Sequence, residues 1–406
     1  MYIKRAAEDV IMKISDTFPV VLLTGPRQTG KTTMLKKIAG DERSYVTLDD
    51  PMIRELAVTD PALFFQRYSP PLLIDEIQYA PQLLPYIKMI VDTEGTNGQI
   101  WLTGSQMFHL MKGVSESLAG RVGIVNLLGF SHAEITGRKL AAEFIPDIKE
   151  LKNRNKEASP VDLKTLFEEI HRGGMPAIFV EKEINTDIFF SSYVQTYLQR
   201  DIKDLTQVGD EMAFFRFLCA VAARTAQEVN YAALAGETGI SEPTAKQWLS
   251  ILVSSGIVYL LEPYFNNTLK RLLKRPKMYF LDTGLCAYLT KWTSAQTLEA
   301  GAMSGAFFET WVVTEIIKSY YFHGKRPPLC YYRDKDQREI DLLIIEDKKV
   351  YPLEIKKSAN PGRDAIKHFA VLEKTQLEIA SGGVMCMCND LIPIDEHYWF
   401  IPVKLL

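Results

Sequence analysis

Val20-Val-Leu-Leu-Thr-Gly25-Pro26-Arg27-Gln28-Thr29-Gly30-Lys31-Thr32-Thr33 is the stretch that decides the fold. An apolar run feeds a loop of the form G-x-x-x-x-G-K-[ST], and a helical pattern continues from Thr33 to Ile38. Glycines at 25 and 30 let the backbone turn successive N–H groups onto phosphate oxygens at the positive end of a helix. Lys31 is spaced to reach the β- and γ-phosphates, and the Thr32 hydroxyl to bind Mg²⁺. Residues 25–33 are therefore the expected cradle for a nucleoside triphosphate, with ATP and Mg²⁺ as ligands. A glycine-rich turn without a ligand is the competing reading. The strand before the loop and the helix after it weigh against that alternative.

Outward from the loop, Pro71-Leu-Leu-Ile-Asp75-Glu76 is an apolar strand ending in adjacent carboxylates. Such an ending sets Asp75 beside the metal and Glu76 where it can polarise an attacking water. Ile100-Trp-Leu-Thr103-Gly-Ser105 is a further strand with a polar end, whose Thr103 or Ser105 either contacts the γ-phosphate and the water or forms a plain turn. Arg121 follows at a strand entrance. It serves either to neutralise charge in phosphoryl transfer, in cis or from a neighbouring subunit, or as a structural ion pair. Apolar runs at 20–23, 45–48, 72–74, 100–102 and 122–127 alternate with helical patterns, which indicates βαβ units and a parallel sheet.

The whole chain sets limits. At 406 residues it is too long for one ordinary core. Its 47% hydrophobic and 24% charged residues are those of an ordinary globular protein, and a net charge of −3 argues against a general nucleic-acid coat. No apolar run approaches the ~20 residues of a membrane helix, and Glu8, Asp9 and Lys13 interrupt any leader-like stretch, so no membrane partner is expected. Five unevenly spread cysteines fit a reduced, cytoplasmic setting. Cys386 and Cys388 read as buried thiols rather than half of a metal site.

Together, residues 25–33, the Asp75-Glu76-Ile77-Gln78 strand end and Leu118-Ala-Gly-Arg121 resemble the bacterial and archaeal AAA-type P-loop ATPases that carry a C-terminal domain of unknown function. The likeness extends through Tyr193-x₃-Tyr197-Leu-x-Arg200-Asp201, Asp282-Thr-Gly-Leu285 and Phe308-Glu309, and so covers nearly the whole chain. Residues 100–106 are similar to the sensor strand of AAA+ ATPases, which lies between the two phosphate-binding strands. The resemblance implies an ATPase or ATP switch and admits a homo-oligomer, but it says little about biological role.

The expected fold is an α/β multidomain one. It comprises an N-terminal P-loop AAA+ parallel sheet (1–138), a linker and helical lid (139–209), a middle winged-helix domain (210–265) and a C-terminal α/β domain (266–406). In the middle part, 230–235 is a short helix, 236–240 a turn, and Ser241 caps a helix to about Ser255 with Pro243 in its first turn. A strand from Gly256 then completes a helix-turn-helix with a wing. The exposed face of 241–255 holds one cation, Lys246, among Glu242, Thr244 and Gln247. A DNA reader is usually richer in Arg, so both a connector and a DNA contact stay open. The basic run at 270–277 is the best candidate DNA patch.

In the last third, a helix at about 305–320 precedes strands near 329–333, 339–346 and 349–356. They carry Asp341 and then Glu354-Ile-Lys356, with Glu309 on the helix. Glu354 and Lys356 share one face because strand side chains alternate. Two or three carboxylates holding Mg²⁺, with Lys356 orienting water, would suit phosphodiester cleavage. The set resembles the PD-(D/E)xK, restriction-endonuclease-like nuclease fold, which is kept either for cutting DNA or for binding alone.

Overall fold

The five apolar runs of the N-terminal part become β1 (Val20–Thr24), β2 (Ser44–Thr47), β3 (Leu72–Asp75), β4 (Ile100–Gly104) and β5 (Val122–Asn126). The structure is a computed structural model that describes residues 2–105, 113–114, 116–180, 184–198, 210–264 and 275–406. All five strands are parallel, in the order β2-β3-β4-β1-β5. Both β1 and β4 are buried along their whole length, which is why they read as continuous apolar runs rather than alternating ones. Helices α1 (Glu8–Thr17), α2 (Lys31–Ala39) and α3 (Leu83–Glu94) flank the sheet. Register puts Thr24, Gly104 and Asn126 at one edge, the carboxyl edge, where Asp75 also ends β3. In open α/β sheets that edge is where ligands bind.

Residues 139–159, the first part of the expected linker and helical lid, are packed. Helix α4 (Ile148–Glu157) forms there with Asp147 as its cap, and Phe144 and Leu151 are buried. The Arg154 guanidinium lies over the Phe144 ring at 5.4 Å and donates to Ala142 O at 2.8 Å. Few residues of the segment are apolar, but Leu140, Phe144 and Leu151 are buried, and the charged Arg154 stem covers Phe144. Helix α5 (Leu163–Arg172) follows, stopped by Gly173 at φ 76.

The middle region runs α6 (Glu211–Ala222), β6 (Gln227–Glu228), α7 (Tyr231–Thr238), α8 (Glu242–Ser254), β7 (Val258–Leu261) and β8 (Lys277–Phe280). Asp210, Asn230 and Ser241 cap its helices with their side chains. The strands pair antiparallel in the order β6-β8-β7, so the sheet is completed beyond the 265 boundary expected for this domain.

After α9 (Thr283–Leu289), the long α10 (Ser304–Tyr321) is buried on nearly every side. The second large sheet contains β9 (Leu329–Arg333), β10 (Glu339–Glu346), β11 (Lys349–Lys356), β12 (Glu378–Ile379), β13 (Gly382–Cys386), β14 (Ile392–Pro393) and β15 (Tyr398–Pro402). Strands β9, β10 and β11 are antiparallel neighbours, whereas β11, β13 and β15 are parallel, giving a mixed sheet. One apolar cluster runs from Val21 and Trp101 through Trp248 and Phe280 to Trp311, Leu353 and Met385, so the three parts share a core. All five cysteines are free thiols. Among the described residues no helix is long and apolar enough to cross a membrane.

Candidate nucleotide site and C-terminal carboxylate cluster

The phosphate loop owes its shape to two glycines with different tasks. Gly25 adopts φ 143 with its backbone against Leu127, where an added Cβ would lie 2.0 Å from the Leu127 carbonyl oxygen, so only glycine fits. Gly30, at φ 85, forms the left-handed entry to α2. Between them the Thr29 hydroxyl donates to Pro26 O at 2.8 Å. The Lys31 ammonium folds back over the loop and donates to Gly25 O at 2.9 Å and Pro26 O at 2.7 Å.

Three hydroxyls converge on Asp75. Thr32 Oγ1 donates to its Oδ1 at 2.8 Å, Tyr45 Oη to Oδ2 at 3.0 Å, and the Thr103 hydroxyl also reaches Oδ1. Burial first, and then the neighbouring Asp75 charge, push the Tyr45 phenol up to about 12, so it stays a donor. Glu76 adopts φ 58 and its N–H donates to Thr103 Oγ1 at 3.1 Å. Its carboxylate accepts from Ser105 Oγ at 3.1 Å and from the Gln78 amide. Thr103 and Ser105 thus divide between the two carboxylates. These oxygens fit a hard divalent cation, which takes hydroxyl and carboxylate ligands. Buried Thr24 Oγ1, one residue before the loop, and Gln78 Oε1 have no hydrogen-bond partner among the described residues.

Beside the loop opens a cavity of about 460 Å³ lined by Tyr2, Ile3, Gly30, Thr33, Pro176 and Val180, among others. No motif marks Tyr2, Ile3 or Pro176, which the fold alone brings to the loop. The one sequence signal near them is Gly173-Gly174-Met175-Pro176, a run that breaks a helical pattern. Arg27 Nη2 lies 3.4 Å from Tyr79 Oη, at the far side of the loop. The middle region also reaches the loop: Gly256, after α8, lies so close to Pro26 that an added Cβ would sit 2.9 Å from the proline Cγ.

Arg121 lies at the wrong end of the sheet to act on its own subunit's phosphates. Its carbonyl accepts from Val20 N, at the amino edge of β1, whereas the loop leaves the carboxyl edge. With about 3.3 Å per strand residue, the five residues of β1 separate the two edges by roughly 16 Å. Its guanidinium is instead bidentate to Asp92 of α3, at 2.5 and 2.9 Å. The cis half of the expectation for Arg121 is therefore corrected by strand direction.

Glu309, Asp341, Glu354 and Lys356 come together, as their order in the chain suggested. Lys356 Nζ lies 3.1 Å from Glu354 Oε2 and 3.6 Å from Asp341 Oδ2, and Ile355 N donates to Asp341 Oδ2 at 2.9 Å. Burial, then the Asp341 charge, push Glu354 up to about 9. Burial also opposes the Asp341 charge, but a hydrogen bond from Glu354 and the charges of Lys277 and Lys356 outweigh it and hold Asp341 below the usual carboxylate range. The two acids share one proton. Burial pushes Glu309 up to about 7 against the pull of Lys277.

Lys277 is the residue that sequence reasoning misplaced. It was expected on a basic, DNA-facing run, yet it is only 4% exposed and bonds Glu339 at 2.5 Å and Glu309 at 3.4 Å. Tyr279 Oη donates to Glu309 Oε1 at 2.7 Å. Strand β8 of the middle sheet thus inserts a cation into the C-terminal cluster, because the carboxylates there need one once buried. Residues 265–274, with the other cations of that run except Arg275, lie outside the described residues, as do Arg200 and Asp201. Among the described residues no group of three or more His, Cys, Asp or Glu is arranged to hold a metal ion. On α8 the single exposed cation, Lys246, pairs with Glu242 at 3.1 Å.

Residues 17–136 match the model of the AAA domain, residues 163–296 a domain of unknown function (DUF8612), and residues 304–406 another (DUF4143). Uncharacterized proteins of Mycobacterium tuberculosis and Mycobacterium bovis are each 31% identical to this chain over 387 residues, covering 95% of it and 80% of their own length. Among solved structures, the Walker-type ATPase of Pyrococcus abyssi aligns with 70% of this chain and 94% of its own. The identity is 16% and the TM-score 0.43.

Proposed function

Since this chain belongs to the AAA-type P-loop ATPases that carry a C-terminal domain of unknown function, we propose that it couples Mg²⁺-dependent ATP hydrolysis to a nuclease-like module directed at nucleic acid. The observation that carries the first half is the convergence of Thr32, Tyr45 and Thr103 on Asp75 beside the loop that folds Lys31 over its carbonyls. Residues 25–33 wrap the phosphates through their N–H groups, and Lys31 swings from the loop carbonyls to the β- and γ-phosphates. Thr32 and Asp75 hold Mg²⁺, which neutralises developing charge when bound. Glu76, fixed by Ser105 and Gln78, takes the proton of the attacking water. The apolar cavity between Tyr2, Ile3 and Pro176 takes the base. Arg121, if it acts in transfer, acts on the next subunit of a homo-oligomer.

The middle region has the helix, strand, helix, helix, strand, strand order of a winged helix, and we read it as a lid or connector. Its turn at Gly256 lies on Pro26 of the loop, and the exposed face of 241–255 offers DNA no unpaired cation among the described residues. The mixed C-terminal sheet, with Glu309, Asp341, Glu354 and Lys356 gathered, supports a PD-(D/E)xK-like site for Mg²⁺-assisted phosphodiester cleavage. One specific observation favours a second reading, in which this module binds protein or DNA without cutting: Lys277 already supplies a buried positive charge there. Incubation with Mg²⁺ or Mn²⁺, with and without ATP, on linear, supercoiled and single-stranded DNA decides between them. Metal-dependent cleavage lost in Asp341→Ala and Lys356→Ala supports the first; binding without cleavage supports the second. ATP turnover in the same tubes tests the N-terminal site, and none at all would overturn it.

A further inference from the structure

Arg5 lies before α1 in a stretch with no motif, yet it is 3% exposed and each nitrogen of its side chain is hydrogen-bonded. Nη1 donates to Thr29 O at 2.8 Å, and Nη2 to Leu128 O at 2.8 Å and Gly129 O at 3.3 Å. Nε is ion-paired to Glu134 at 3.0 Å. The guanidinium carbon lies 4.8 Å from the Phe130 ring centre and 5.2 Å from that of Phe322, the C-cap of α10. A buried guanidinium is held here by one carboxylate and three carbonyls, an arrangement that lysine cannot reproduce.

The Thr29 contact is the informative one, because Thr29 precedes Gly30 and Lys31 within the phosphate loop. A trans peptide is planar, with its C=O and N–H on opposite sides. Fixing the Thr29 oxygen on Arg5 therefore fixes the Gly30 N–H pointing the other way, away from Arg5. Gly30 has the wide φ freedom of glycine, so the peptide before it can rotate unless something holds it. Arg5 also lines the cavity beside Gly30 and Thr33.

We propose that Arg5 is a positioning residue of the ATPase site: it locks the Thr29–Gly30 peptide so that the Gly30 amide faces the nucleotide phosphates. The inference rests on the phosphate-loop reading above. Its test is the Kd for Mg·ATP, measured by calorimetry well below the melting temperature of each protein. Arg5→Met should raise Kd about 10- to 100-fold, the range set by hydrogen bonds to a charged group, with Arg5→Lys in between. Ser131→Ala, which removes the cap beside Arg5 but none of its bonds, should lower the melting temperature by a few degrees. It should leave Kd within about threefold of wild type. If Arg5→Met does not fold, Arg5→Lys carries the test, because one ammonium cannot span Thr29 and Leu128 together. A wild-type Kd in whichever Arg5 variant folds overturns the proposal while leaving the nucleotide site intact. Absence of Mg·ATP binding by the wild-type protein overturns both.

Discussion

The two acidic sites of this molecule handle buried charge in opposite ways. In the N-terminal cradle the carboxylates of Asp75 and Glu76 accept from hydroxyls and from the Gln78 amide, and the Lys31 ammonium donates to backbone carbonyls. In the C-terminal cluster two lysines are ion-paired to four acids, and a proton is shared between Asp341 and Glu354. The first holds its acids with neutral hydrogen-bond donors; the second holds its acids with ammonium groups. Acids held by hydroxyls and an amide can take an incoming cation without first giving up the ammonium pairs that hold the C-terminal acids.

The largest expected effect probes the cradle. Glu76→Gln should keep the melting shift caused by Mg·ATP but lose turnover by about 10²- to 10⁴-fold, because an amide cannot take the proton of the attacking water. Turnover at the wild-type rate would remove Glu76 from that role and weaken the contrast. Next comes the cluster: Lys277→Met leaves Glu309 and Glu339 without their buried cation and should cost about 3–5 kcal/mol. Added Mn²⁺ should then restore more of the melting temperature than it adds to the wild type. If Mn²⁺ does nothing to either protein, the cluster is closed to metals.

A third comparison sets the sites side by side. Mg·ATP at 100 times its Kd should stabilise the wild type by ~2.7 kcal/mol, a rise of about 5–10 °C for domains of this size. Lys31→Ala should abolish the shift, and Lys356→Ala should leave it whole. Loss in both would mean that the sites are not independent.

The smallest effect is a slope. Glu354 is raised from about 4.5 to about 9, so the folded chain keeps a proton that the unfolded chain has lost. That contribution is complete below pH 4.5 and is lost as pH rises through about 9, by at most about 1.4 kcal/mol per pH unit. Thermal melts from pH 5 to 9 should decline for the wild type and flatten in Glu354→Gln. Equal slopes would dissolve the shared proton.

Strands buried on both faces announce themselves, which is why β1, β3 and β4 stood out as apolar runs, and β9 to β11 fell at the ranges expected for them. Thr32 and Asp75 were readable because phosphate chemistry demands them at fixed points on a strand–loop–helix. What could not be read depends on contacts between distant segments. Lys277 looks like surface because four neighbouring cations in the chain do, and only the fold shows β8 lying against Glu309 and Glu339. Arg121 carries the right chemistry, but strand direction puts it at the far edge. Tyr2, Ile3 and Pro176 form a pocket wall without sharing any pattern. Phe144 and Leu151 are too few to outweigh the charges around them, so a packed helix read as part of a linker.

The continuous apolar cluster joining Trp101, Trp248 and Trp311 has a bearing on heredity. Modules traded between genes usually meet across polar seams, so a new neighbour needs few changes. Here an exchanged C-terminal third would have to bring surfaces already matched to Phe167 and Phe280, side chains belonging to its former neighbours. Any lineage that refits this ATPase to a new tail must remake both sides of the joint together, which favours gradual divergence of the whole over the swapping of parts.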